Sequence, residues 1–359
     1  MIIYIVTVSI ILVGGLVCNT SKGKKSKLIY SIICGGLLLC VAGFRNPYMG
    51  TNDNVVTYIP NFEKIHYMTF SKVYIFFSKL DTEVTFYIIT KVITIFTSNI
   101  NIYFTICEIP LIYAFIKIVY KYSKIPMLSF IIFFSALYFL WSLIIIRQAV
   151  ALGFILISFD KLCEKKYVKF VIYVLIASLF HRTALIFFMV LPLTRLNFNN
   201  KKIISFILVL IIFALFGNKM VDVFLGFFSN TRHFSSYIDR RESFGNEGQF
   251  FQFFLYTILT VMAFLFSKKE FKQENRLLFN ICFNGCLVCS LAPIFAEFFR
   301  MGIYFTIFLT ILVPNTISEL KVQLTKHTFV FILIILMLLV AYSTFNSLGY
   351  IPYYFYWQS

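Results

Sequence analysis

The residues of this chain best equipped for chemistry are its arginines. There are nine, against 23 lysines. Seven of the nine, Arg45, Arg147, Arg182, Arg232, Arg240, Arg241 and Arg300, lie away from the short lysine-rich stretches that separate the apolar runs. A guanidinium keeps its charge in nearly any surroundings and grips phosphate or carboxylate in a fixed fork, whereas lysine is a mobile point charge. An arginine set gathered on one side of a membrane points to an anionic ligand on that side.

Several of these arginines have polar company. In LIIIRQAVALG, Arg147 and Gln148 sit between two apolar runs. A charge there must be solvated, snorkelled or paired; it either marks an interface or, with Gln148, binds phosphate or a sugar hydroxyl. In APIFAEFFRMGIYF, Glu297, Arg300 and Tyr304 share one helical face. They form either an ion pair that orients helices or a site in which Glu297 positions Arg300 and Tyr304 meets a sugar. His181 closes the run YVLIASLFHRTAL beside Arg182. It is either a polar tip at an interface or a proton shuttle, since imidazole titrates near neutrality. In FRNPYMGTNDN, Arg45 and Asp53 are expected to pair across the Asn46-Pro47 turn, with Gly50 relaxing the backbone. Asp53 is the best acidic candidate nearby, either orienting Arg45 or taking a proton from a hydroxyl; a capped interfacial loop is the plainer reading.

Composition dictates what must position these groups. Of 359 residues, 60% are hydrophobic and 13% charged, and mean hydropathy is +0.86. A soluble protein of this size needs a far more polar surface, so lipid is the solvent for most of the chain. The fold class expected is an all-α polytopic integral membrane protein, a single membrane domain over 1–359. It has about twelve transmembrane helices, at 1–17, 28–43, 100–119, 127–146, 147–160, 167–181, 183–195, 203–217, 250–266, 277–295, 298–315 and 328–347. The first reads as a retained span, not a signal peptide.

Net charge is +17, but the basic residues are spread between apolar runs. They read as topology signals, and nucleic acid is not expected as a partner. With the N-terminus outside, the lysine-rich loops SKGKKSK, KYSK, DKLCEKKYVK, RLNFNNKK, SKKEFKQENR and ISELKVQLTK all fall in the cytosol, and both termini are extracytoplasmic. That layout requires 82–97 to be an amphipathic helix on the outer face, not a span. Glu83, Tyr87, Thr90, Lys91, Thr94 and Thr97 lie on one side, and Val84, Ile88, Ile89, Val92, Ile93 and Phe96 on the other. Two long loops are then extracytoplasmic: 44–99, and 218–249 with the arginines and histidine Arg232, His233, Arg240 and Arg241, where solvated charge is the plain reading.

Signatures of soluble catalysis are missing: the sequence has no Walker loop, HExxH or GxSxG. Of eight cysteines, Cys282, Cys286 and Cys289 share a helical face and are expected to be packing thiols. No metal or cofactor is expected.

FRNPYMGTNDN, TEVTFYIITKV, IIIRQAVALGF, KKYVKFVIYVLIASLFHRTAL and FFRMGIYF occur in an order that resembles the EpsG family of Wzy-type polysaccharide polymerases. The resemblance covers most of the chain, although TND stands where a GTD-like string is commoner. It implies a fold similar to the GT-C glycosyltransferases in a bacterial inner membrane, with its site on the extracytoplasmic face. It implies a donor glycan on undecaprenyl diphosphate and an acceptor repeat unit on the same carrier, with a chain-length regulator and a flippase as further partners. The acceptor hydroxyl attacks the anomeric carbon of the donor, undecaprenyl diphosphate leaves, and no nucleotide is needed. The product class, whether O-antigen, capsule or exopolysaccharide, stays open.

By the same resemblance the catalytic residues are Arg147, His181, Arg300 and Asp53. Arg45, Gln148, Arg182, Glu297 and Tyr304 join them in binding substrate. In the long loop Arg232, Tyr237, Arg240 and Arg241 rest on charge and place. Rival readings are an O-antigen ligase using the same donor, a repeat-unit flippase, a membrane O-acyltransferase and a non-catalytic membrane protein. The motif order favours the polymerase over the ligase. The halves show no matching pattern, which disfavours a flippase.

Overall fold

The computed structural model describes residues 1–21, 23–50, 53–80, 82–195, 246–267, 273–292 and 296–358. These are almost wholly helical; the backbone pairing outside helices is an isolated antiparallel bridge between Arg45 and Phe355. The described residues fall into two compact units, 1–188 with 322–359, and 189–321.

The first unit holds α1 (Ile2–Ser21), α2 (Lys24–Phe44), a π-helical turn (Asn54–Tyr58), α3 (Ile59–His66), α4 (Phe70–Ser78), α5 (Val84–Phe96) and α6 (Ile100–Tyr122). It continues with α7 (Pro126–Ser135), α8 (Tyr138–Ile144), α9 (Ile146–Cys163), α10 (Tyr167–Phe180) and, later in the chain, a final long helix at Gln323–Ser347. Asn99 caps α6, its Oδ1 accepting from the backbone N–H groups of Asn101 and Ile102, and Pro126 starts α7 where its missing N–H costs nothing. The second unit holds α11 (Val190–Leu193), α12 (Asn246–Phe266), α13 (Gln273–Ser290), α14 (Ala296–Thr306) and α15 (Leu309–Ser318). The long helix at Gln323–Ser347 is therefore α16.

Lys24–Phe44, Ile100–Tyr122, Glu297–Ser318 and Gln323–Ser347 are each long and apolar enough to cross a membrane, and α7 with α8 makes a fifth if counted as one bent span. At 1.5 Å per residue such helices cover about 30 Å or more, the thickness of the hydrocarbon layer. The protein is thus an all-α polytopic membrane protein. The outward faces agree: Phe331, Leu336 and Leu339 of α16 are all more than half exposed, which water would penalise and lipid does not.

Two expected spans take another form, and a third, 298–315, is kept within the candidate span Glu297–Ser318 with a break inside it. The run 127–146 is two helices bent by 46°, because Leu137 adopts a left-handed conformation (φ 72°). The run 183–195 is a tight 3-10 helix over Arg182–Met189 followed by α11. The run 298–315 is interrupted between α14 and α15. The expected span 203–217 lies outside the described residues.

Polar contacts give the first unit two ends. At one, Lys27 Nζ donates to the Ser123 carbonyl (2.6 Å), and Lys117 and Lys121 reach Asp160 at 2.9 and 2.6 Å. At the other, Tyr4 donates to the Tyr350 carbonyl (3.0 Å), Tyr353 to that of Val41 (2.9 Å), and Arg45 to that of Leu143 (3.0 Å). Helices α1, α6 and α9 run from the second end to the first; α2, α7 with α8, α10 and α16 run back. Where α6 and α9 pack, a Cβ on Gly153 would meet the backbone carbonyl of Pro110. That approach is open only to glycine.

Helix α5 is two-faced. Phe86, Tyr87, Thr90, Ile93 and Thr94 are buried against the unit, and Ile89, Val92, Ile95 and Phe96 are exposed. Its inner face is fixed by Tyr87 stacked on Phe77 (3.7 Å between centroids) and by Thr90 Oγ1 lying 3.3 Å from the Tyr103 hydroxyl.

Candidate functional site

Three separate segments converge at the arginine-bearing end of the first unit. Glu83 precedes the first residue of α5, Arg147 sits in the first turn of α9, and His181 ends α10 in an extended conformation. Glu83 is the hub. Its Oε2 accepts from Arg147 Nη1 at 2.6 Å. Its Oε1 accepts the backbone N–H of Arg182 at 3.1 Å and lies 3.4 Å from His181 Nδ1. The same Arg147 nitrogen also donates to Thr82 Oγ1 at 3.0 Å.

Burial alone would push the Glu83 carboxyl up. The His181 contact, the Arg147 charge and the Arg182 N–H outweigh it and bring the group down to about 2. Glu83 is therefore a carboxylate at any working pH. Tyr58, beside Arg147, has its phenol pushed up by burial, with the guanidinium opposing. A carboxylate facing Nδ1 orients the imidazole ring and favours a proton there, leaving Nε2 as the acceptor nitrogen. Both ring nitrogens are buried and neither has a hydrogen-bond partner among the described residues, Glu83 Oε1 standing at ion-pair distance from Nδ1. Arg147 keeps a quarter of its side chain exposed, so one face of the fork remains open to an anion.

Arg45 is placed differently from the expectation. It is 1% exposed, turned into the protein, and donates from Nη2 to the Leu143 carbonyl while its guanidinium lies 5.1 Å from the Phe104 ring centroid. Asp53 is exposed, one residue before the π-helical turn. Gln148 is buried beneath Arg147, and the Arg182 side chain is exposed. Within the second unit Arg300 Nη1 donates to Glu297 Oε1 at 3.2 Å, as the spacing predicts, and Tyr304 is fully buried one turn further on. Arg232, Tyr237, Arg240 and Arg241 lie outside the described residues. The thiols of Cys282, Cys286 and Cys289 are buried, Cys286 Sγ lying 3.3 Å from Thr260 Oγ1.

Sequence reasoning missed Glu83 as a hub and counted it only on the polar face of the amphipathic helix. The available signal was scarcity: the chain has 15 acidic residues against 32 lysines and arginines, so a carboxylate starting an apolar helix is conspicuous. It also missed Asn54 and gave Glu108 no site role. Asn54 is fully buried, and Glu108 is 2% exposed inside α6.

The family model that matches this chain is that of the EpsG family, over residues 28–355. No curated protein and no solved structure matches it.

Proposed function

The chain belongs to the EpsG family, and we propose that it is a polysaccharide polymerase that joins lipid-linked repeat units. In this reading a growing glycan on undecaprenyl diphosphate is the donor and a repeat unit on the same carrier is the acceptor. The arginine-bearing end of the first unit faces away from the cytosol. A frame of about twelve spans of GT-C-like character belongs to the same proposal, as do roles for Asp53, Arg300, Tyr304 and the long-loop arginines.

The observation that carries the proposal is the convergence of Arg147, His181 and the Arg182 N–H on Glu83. It supplies the two things a glycosyl transfer from a diphosphate requires. Arg147, with its exposed face, holds the diphosphate and steadies the negative charge that grows as the anomeric carbon–oxygen bond breaks. His181 Nε2 takes the proton of the acceptor hydroxyl as its oxygen bonds to the anomeric carbon. Undecaprenyl diphosphate leaves with the bonding electrons, and the imidazolium is stabilised by Glu83 on its other nitrogen. Because Nε2 is covered, the arriving glycan has to uncover it, which also keeps water from competing for the donor.

The test is polymer formation by the purified chain in lipid nanodiscs, supplied with lipid-linked repeat units and read as a ladder on a gel. The expected result is a ladder with wild type and single units with His181→Ala. Absence of a ladder with wild type, or an undiminished one with His181→Ala, would overturn the proposal. In cells lacking the gene, single units on the acceptor lipid mark a polymerase, no transfer at all a ligase, and precursor held in the cytosol a flippase.

A further inference from the structure

Behind the Glu83 cluster lies a second polar assembly, fully buried and unlike a binding site. Helix α8 ends at Ile144 and α9 begins at Ile146, with Ile145 between them in a non-helical conformation (φ −108°, ψ 71°). A break of this kind takes carbonyl groups out of the regular helical ladder, and in a protein interior they must be satisfied from elsewhere. The Leu143 carbonyl is satisfied twice. Arg45 Nη2 donates to it at 3.0 Å and Asn54 Nδ2 at 3.1 Å, so both lone pairs are taken by side chains from the segment after α2.

The Arg45 donor is itself held. Asn101 Nδ2 donates to the carbonyls of Gly43 (3.0 Å) and Arg45 (2.6 Å). The C-terminal segment pairs with the same strand of backbone: the Asn46 N–H donates to the Tyr354 carbonyl (2.8 Å) and the Tyr356 N–H to that of Phe44 (2.9 Å). Gly50, at φ 81°, gives the ring of Tyr350 its place, since a Cβ there would lie in that ring. Glu108, in electrostatic reach of Arg45, is buried in α6 with neither carboxyl oxygen hydrogen-bonded among the described residues.

We propose that Arg45 and Asn54 are positioning residues that clamp the Leu143 carbonyl, fix the break between α8 and α9, and so set where Arg147 stands in the site. Arg147 is four residues beyond the clamped carbonyl and two beyond the break. Its reach to Glu83 Oε2 depends on where the first turn of α9 starts. The role of Arg45 is then to aim another arginine. This inference rests on the proposed function only for its effect on turnover; the clamp itself is a statement about the backbone.

The experiment uses the full chain in nanodiscs. Arg45→Met with Glu108→Gln removes the buried guanidinium and its acidic neighbour together, and Asn54→Ala removes one donor with both of those groups left in place. Amide hydrogen exchange is read by mass spectrometry at the start of α9 and at its far end near Asp160. The expected result is exchange at residues 146–149 faster by about tenfold or more in both variants, with the far end unchanged. Turnover falls on the order of 100-fold for the double variant and less for Asn54→Ala, while KM for the lipid-linked unit stays within about twofold. Unchanged exchange at 146–149 in either variant overturns the clamp. So does turnover per folded molecule equal to wild type. Should wild type itself make no polymer, the functional reading fails and the exchange result alone decides the clamp.

Discussion

The two ends of the first unit are built on the same two helices, α6 and α9, yet they treat charge in opposite ways. At the lysine end every carboxylate is saturated. Asp160, with no exposed side-chain surface, is met by Lys117, Lys121, Lys161 and the Tyr122 hydroxyl. Glu164, held down to about 2 by Lys121, Lys166 and Lys161, completes the network. At the arginine end a single carboxylate, Glu83, serves two side chains and a backbone N–H. Around it the Nε of Arg147 and both ring nitrogens of His181 lack hydrogen-bond partners among the described residues. A satisfied network fastens helices together; polar groups left with spare capacity are where a substrate can be received. About 20 Å of α9 separates Arg147 from Asp160, so one helix carries a fastening at one end and the proposed site at the other.

The contrast can be broken most severely at Arg147. Arg147→Lys keeps the charge and loses the fork, and polymer formation per folded molecule should fall 10²-fold or more, about 3 kcal/mol of transition-state stabilisation. A ladder of normal length from that variant would show that Arg147 is only a surface anchor. Glu83→Gln should cost somewhat less in turnover, on the order of 10- to 100-fold, because Arg147 and His181 remain but are no longer held together.

Glu83 also gives a signature in pH. Its carboxyl is lowered on folding from 4.5 to about 2, so its contribution to stability is fully present above pH 4.5 and is lost as pH falls toward 2. Conversion of that shift gives on the order of 3 kcal/mol at most. Wild-type thermal midpoints should therefore drop faster than those of Glu83→Gln as pH is lowered from 5 to 3; parallel curves would show that the hub is not ionised in the folded state.

At the other end the expectation reverses. Asp160→Asn should leave turnover per folded molecule unchanged while lowering the thermal midpoint, since three partly exposed lysines lose the buried carboxylate they share. Loss of turnover without loss of stability would erase the distinction between the ends. Glu164→Gln should do least, with little change in the thermal midpoint and none in turnover, because its ion pairs are solvent-facing.

Much of this arrangement is legible before any coordinates. The lysine-rich loops KYSK and DKLCEKKYVK meet around Asp160 as neighbours should if both belong to one side. Along 82–97, Tyr87, Thr90 and Thr94 of the expected polar side are buried and Ile89, Val92 and Phe96 of the expected apolar side are exposed, whereas Ile93 of the apolar side is buried with the polar set. Arg147 and His181 stand out because each is a polar residue where an apolar run should continue. The hub itself is not legible. Glu83 lies 64 residues from Arg147 and 99 from Arg182 in sequence, and only the packing of α5 beside α9 and α10 brings them together. The inward turn of Arg45 is equally hidden, since nothing local says whether an arginine after a span faces water or a broken helix. The bend at Leu137 has no glycine or proline to announce it; residues of α7 and α8 are buried almost without exception, and tertiary packing decides their path.

The backbone contact between Gly153 and Pro110 bears on how the chain could work. Helices that touch through their main chains, with a proline on one side and a glycine on the other, have no cushion of side chains over which to slide. A carrier that shuttles cargo by rocking one bundle past another needs such a cushion. A machine that stays still while its product is threaded past does not, and α6 with α9 would serve it as a fixed bed.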